Sequence, residues 1–146
     1  MRPLLHAAVV AFVLAGCGGA PPEAPATLFG AWEGEGRQYD DGDRFGEPDG
    51  RWPLRITVTR GTSGAPEAGI EYPSFPCGGS LEYVGPSTEP DARPGDAIFR
   101  ERITYGTDVC VDGGTVLLRP EPGALVFAWA IDSAPTTASA RLVPAD

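Results

Sequence analysis

The sequence predicts an all-β domain, a small antiparallel up-and-down barrel of about eight strands, with a β-sandwich as the alternative. Three observations lead there. From Phe29 onward apolar residues recur at every second position, the period of a half-buried strand. Turn-forming residues interrupt that alternation about every ten residues, drawn from 20 Gly and 16 Pro in a chain of 146. No stretch beyond Phe29 carries the i, i+3, i+4 apolar spacing of a helix with a buried face.

The strands follow in order. Residues 30–37 open the series. Residues 52–60 set Leu54, Ile56 and Val58 against Arg55, Thr57 and Thr59. Two short strands follow at 69–72 and 79–84. Residues 97–105 place Phe99, Ile103 and Tyr105 on one side and Arg100, Arg102 and Thr104 on the other, with Glu101 sharing the side of Phe99. A sixth strand covers 115–119. Residues 124–131 are apolar on both faces, Leu125, Phe127, Trp129 and Ile131 forming the bulkier one, and 137–143 completes the set. Asp112-Gly113-Gly114 and Glu121-Pro122-Gly123 supply tight connections; 39–50 and 85–95 are longer loops. Short connections make consecutive strands neighbours, and closing the meander removes the edges that would recruit other chains. With 42% hydrophobic residues there is material for one core, and the length suits one domain.

Missing residue types exclude chemistry. The chain contains no Lys and no Asn, and its only His is His6. Once an N-terminal leader is removed, neither a Ser-His-Asp nor a Cys-His nucleophile system can be assembled. A Schiff-base or P-loop lysine and a His-rich metal site are equally ruled out. The formal charge is −9, and loss of Arg2 makes it one unit more negative. An acidic domain without a basic stripe is a poor partner for nucleic acid or an anionic lipid surface.

The N-terminus reads as an export and anchoring signal. One charge at Arg2 precedes an apolar run over 4–15, too short to span a bilayer, which takes ~20 residues. The run ends in Leu14-Ala15-Gly16-Cys17. This resembles the lipobox of bacterial lipoproteins. The resemblance implies a signal peptide over 1–16, cleavage before Cys17, diacylglycerol on its sulfur and acylation of its new amino group. Several acyl chains anchor stably where one is marginal. Gly18 rather than Asp follows, which by the same resemblance favours the outer membrane, facing the periplasm or the surface. Residues 17–29, rich in Pro, Gly and Ala, read as a tether, leaving 30–146 as the folded domain.

Cys77 and Cys110 remain. In an exported chain two cysteines favour a disulfide. A metal site would have only two thiolates and carboxylates with no His, and no C-x-x-C spacing suggests a redox pair. Two further resemblances concern the domain. Gly30-Ala31-Trp32 is similar to the G-x-W opening of calycin-type barrels, and implies that Arg141 of the last strand packs across Trp32 as a cation–π contact; the plainer reading is a core tryptophan. The order Tyr72-Pro73-Ser74 with Cys77-Gly78-Gly79, then Phe99, Glu101 and Ile103, then Cys110-Val111-Asp112-Gly113-Gly114 resembles a small β-domain found in bacterial lipoproteins and as the exported tail of some Ser/Thr kinases. It implies fold and location, and no activity.

Candidate chemistry centres on Glu101. A carboxylate on an apolar strand face is either a general acid or polar ligand anchor, or half of a buried Glu–Arg pair fixing register. With Glu33, Glu35 or Glu82 it could form the carboxylate pair of a hydrolase. The acidic loop 39–50 fails the calcium-loop pattern, since Trp52 stands eleven residues after Asp41, and reads as a solvated loop. Tyr39, Phe45, Tyr72 and Phe75 either form an exposed aromatic patch or plug the barrel ends. No metal or cofactor is expected. The functional expectation is a lipid-anchored, non-catalytic binding or scaffold module for an envelope protein or glycan. The alternatives are a calycin-like carrier of a small apolar ligand and a carboxylate hydrolase. An open interior of several hundred cubic ångströms would favour the carrier and a filled one the surface module.

Overall fold

Leu54, Ile56 and Val58 are buried while Arg55, Thr57 and Thr59 between them face outward, and this alternation is repeated around a closed barrel. The structure, a computed structural model, describes residues 24–41 and 46–146. Its strands are β1 (Gly30–Tyr39), β2 (Gly50–Arg60), β3 (Pro66–Tyr72), β4 (Cys77–Pro86), β5 (Ala97–Tyr105), β6 (Thr115–Glu121), β7 (Ala124–Ala130) and β8 (Thr137–Pro144). They hydrogen-bond in chain order, every neighbouring pair antiparallel, and β8 returns to β1. The barrel is therefore the architecture, and the sandwich is not. The expected signal peptide and the expected lipid site at Cys17, together with Phe45, lie outside the described residues.

Leu54, Ile70, Phe99, Leu118, Phe127 and Leu142, from six different strands, are fully buried and fill the lower and middle interior. Each such side chain contributes about 1.5–3 kcal/mol of transfer free energy. One end is plugged. A single 3-10 turn, Ala26–Leu28, sends Leu28 into the interior with no exposed surface, its carbonyl accepting the Trp32 indole N–H at 3.2 Å. The Arg60 guanidinium lies 4.6 Å above the Phe29 ring on the same end. Ala24 is buried too, so residues 24–29, expected in the tether, belong to the packed domain. The Pro-rich composition concealed the one leucine that closes the barrel.

The same end carries a latch. Asp96 (side chain 1% exposed) accepts from Arg119 Nε at 2.9 Å on Oδ1 and 3.1 Å on Oδ2, from Arg119 Nη2 at 2.6 Å on Oδ2, and from the Arg93 amide at 2.9 Å. It thereby fastens the long loop after β4 to β6.

At the opposite end the loop after β5, residues 106–114, folds back over the barrel. Cys77, the first residue of β4, is joined to Cys110 of this loop by the expected disulfide. The loop is further held by the Ile103 amide donating to Asp112 Oδ1 and the Glu101 amide to the Gly114 carbonyl, each at 2.8 Å. Gly79 makes this arrangement possible. The β4–β5 ladder slips between Gly78 and Gly79, and a Cβ on Gly79 would collide with the Arg102 carbonyl oxygen. Gly79→Ala is therefore expected to destabilise by more than about 2 kcal/mol, because backbone rather than a movable side chain must yield; urea unfolding of the variant measures it.

Candidate functional site

The unplugged end is a cup. Its volume is about 400 Å³, and its walls come from Gln38, Trp52, Tyr72, Phe75 and Trp129, with Glu101 at its base. The geometry follows from residue size. Trp52 and Trp129 have no room beside another side chain, and each lies on a glycine. A Cβ on Gly36, the register partner of Trp52, would fall within the Trp52 ring, and one on Gly114 would meet the Trp129 indole nitrogen. Tyr72 meets Trp52 edge-on, with ring centroids 5.3 Å apart and an interplanar angle of 78°. Above these, Phe75 (39% exposed), Val109 and Val111 form an apolar rim.

Glu101 is 1% exposed, on the interior face with Phe99 and Ile103 as the alternation of its strand predicted. Its partners are neutral. Tyr72 donates its hydroxyl proton to Oε1 at 2.5 Å and Trp129 donates its indole N–H to Oε2 at 2.7 Å. Three side chains from alternate strands, β3, β5 and β7, thus meet across the lumen. The buried Glu–Arg pair is corrected: Arg100 and Arg102 point outward, Arg102 toward Glu82 at 3.5 Å. Burial raises the Glu101 carboxyl above the ordinary glutamate range; the bonds from Tyr72 and Trp129 oppose that push, and the charge of Asp112 adds to it. Burial, then the Glu101 charge and its hydrogen bond, raise the Tyr72 hydroxyl as well, so it stays a donor.

The sign of the resulting pH dependence is fixed. A carboxyl whose folded pKa is raised lends most stability below its unfolded value, about 4.3, and loses it as pH rises through the folded value. Glu101→Gln, which keeps an acceptor for Trp129 and cannot ionise, is expected to gain on the wild type as pH rises from about 4 to about 7. Urea unfolding of both proteins across that range checks it; a constant difference would mean that the buried charge has no cost.

The other sequence candidates are dispersed. Glu33, Glu35 and Glu82 all face outward, paired with Arg55 at 3.4 Å, Arg51 at 2.8 Å and Arg102 at 3.5 Å, so none of the proposed carboxylate pairs with Glu101 is assembled in the barrel. Arg141 does not cross Trp32. Ala140 and Leu142 are the interior residues of β8, which turns Arg141 outward to pair with Glu121. Trp32 is a buried core residue at the plugged end. Of the three described aromatic candidates, Tyr39 and Tyr72 are buried and Phe75 stands on the rim. Trp52 and Trp129, the two largest walls of the cup, escaped notice as site residues; the signal available was a glycine placed to face each.

No family model matches the chain, and no curated protein and no solved structure matches it.

Proposed function

We propose that this protein is a lipid-anchored envelope module that binds a small ligand in the cup and performs no catalysis. The observation that supports it is polarity of the barrel. The chain enters at the plugged end, through Ala24 and Leu28, whereas the cup opens at the other. A domain held by lipid on Cys17 would carry its cup away from the membrane, as a receptor requires. The filled interior below the cup favours a receptor over a carrier that encloses its cargo. The exposed apolar rim over a buried carboxyl is the usual composition of a small-molecule site.

Two measurements test the two halves. Cys17→Ser is expected to move the protein from the membrane fraction to the soluble periplasmic fraction of a two-membrane host; continued membrane association of that variant would contradict lipid anchoring. Thermal-shift screening of the mature domain against cationic, neutral and anionic amphiphiles is expected to give saturable stabilisation by at least one class. Gln38→Trp, which fills the cup from its wall, is expected to abolish that stabilisation. No response to any class, or a response unchanged in Gln38→Trp, would refute the cup as the binding site.

A further inference from the structure

The cup combines three features that together select a charge type. Its walls are aromatic, and the polar atoms of two of them, the Tyr72 hydroxyl and the Trp129 N–H, are turned to Glu101, leaving ring carbons toward the cavity. Its base holds a carboxyl 1% exposed whose hydrogen-bond partners are Tyr72 and Trp129, with no Arg beside it among the described residues. Its mouth is acidic. The described residues of the loops around it carry Asp40, Asp41, Glu47, Asp49, Asp108, Asp112 and Asp132, against two arginines that reach these loops from the strands, Arg51 to Glu47 at 3.9 Å and Arg100 to the Gly113 carbonyl at 3.2 Å.

An anionic guest, such as a fatty acid or a phosphate ester, would meet repulsion at the mouth and again at Glu101. A bare metal ion needs several oxygen or nitrogen ligands, and no three His, Cys, Asp or Glu side chains gather to hold one among the described residues. A primary ammonium needs acceptors for three N–H groups, whereas the walls are mostly ring carbon. A quaternary methylated ammonium has a diffuse charge, no proton to satisfy and an apolar surface. Aromatic side chains attract it through their ring quadrupoles.

We propose that the cup recognises a quaternary, methylated ammonium group, its charge held between the rings of Trp52, Tyr72 and Trp129 and the Glu101 carboxylate. This rests on the cup being the binding site, and deepens that reading by naming the chemistry of the ligand.

Choline and 3,3-dimethylbutanol have the same shape and differ in a charged nitrogen against a neutral carbon; 3,3-dimethylbutanoate reverses the charge. Titrated into the mature protein by calorimetry and tryptophan fluorescence, choline is expected to bind at least about tenfold more tightly than the alcohol, and the carboxylate more weakly than either. Glu101→Gln is expected to weaken choline more than the alcohol, so that choline's lead over the alcohol narrows. In the wild type alone, raising salt from about 0.01 M to about 1 M is expected to weaken choline and spare the alcohol, a comparison that stands if the variant fails to fold. Equal affinities for choline and the alcohol, with matching salt dependence, would overturn the ammonium assignment and leave the cup as an apolar site. Absence of binding by all three probes, together with no stabilisation by any amphiphile, would overturn the cup itself.

Discussion

Replacing Cys77 and Cys110 together by alanine is expected to lower the unfolding free energy by about 4 kcal/mol and the melting temperature by roughly 15 °C. The cysteines are 33 residues apart in sequence. The magnitude comes from the conformational freedom that a cross-link over such a span removes from the unfolded chain. Site geometry should change with stability. Val109, Cys110 and Val111 of the stapled loop line the cup, so the double variant is expected to lose ligand-dependent stabilisation even where the barrel stays folded. Chemical denaturation followed by tryptophan fluorescence reports both, since Trp52 and Trp129 sit in the cup wall. A loss below about 1 kcal/mol would show that the bonds from Ile103 and Glu101 to Asp112 and Gly114 hold the loop without the sulfur bridge.

The second large effect belongs to the plugged end. Asp96→Ala leaves Arg119 (side chain 17% exposed) without its carboxylate and frees the Arg93 amide; the expected cost is about 3 kcal/mol. The bonds from Arg119, assisted by the Arg93 amide and the charges of both arginines, hold the Asp96 carboxyl below its ordinary range against the opposing effect of burial. The pH dependence is opposite in sign to that at Glu101. Stability from Asp96 is present above the unfolded value, about 3.9, and is lost as pH falls through the lowered folded value. The wild type is therefore expected to lose its advantage over Asp96→Ala in strong acid, and urea unfolding from neutral pH down to about pH 2 measures the convergence. A gap that persists undiminished there would mean that the aspartate acts by packing and not by charge.

The strands were legible because two periods coincide. Alternation of side chains and spacing of Gly–Pro turns both mark residues 97–105, and β5 has those bounds. The interior position of Glu101 followed from its spacing to Phe99 and Ile103. Its partners did not, because Tyr72 and Trp129 are 29 and 28 residues away in sequence and approach only when the sheet curves around on itself. A local alternation fixes which face a residue takes; curvature decides what lies across the lumen. The same limit explains Arg141, whose neighbour Leu142 claims the inward position. It explains Asp96 and Arg119 too, since each reads alone as an ordinary surface charge. Cys77 and Cys110 were legible as a pair because the sequence holds only one other cysteine, Cys17, in the N-terminal segment whose expected role is lipidation.

The order of pairing bears on how such a chain comes to be folded. Seven of the eight seams in the ladder join strands that follow one another in sequence, and only β8 against β1 joins the two ends. Hairpins formed from neighbouring segments carry small loop-closure costs. A chain emerging amino-terminus first can therefore zip strand onto strand as it appears. The circle stays incomplete until Thr137–Pro144 has emerged, and it is this last segment that commits the whole chain to its finished state.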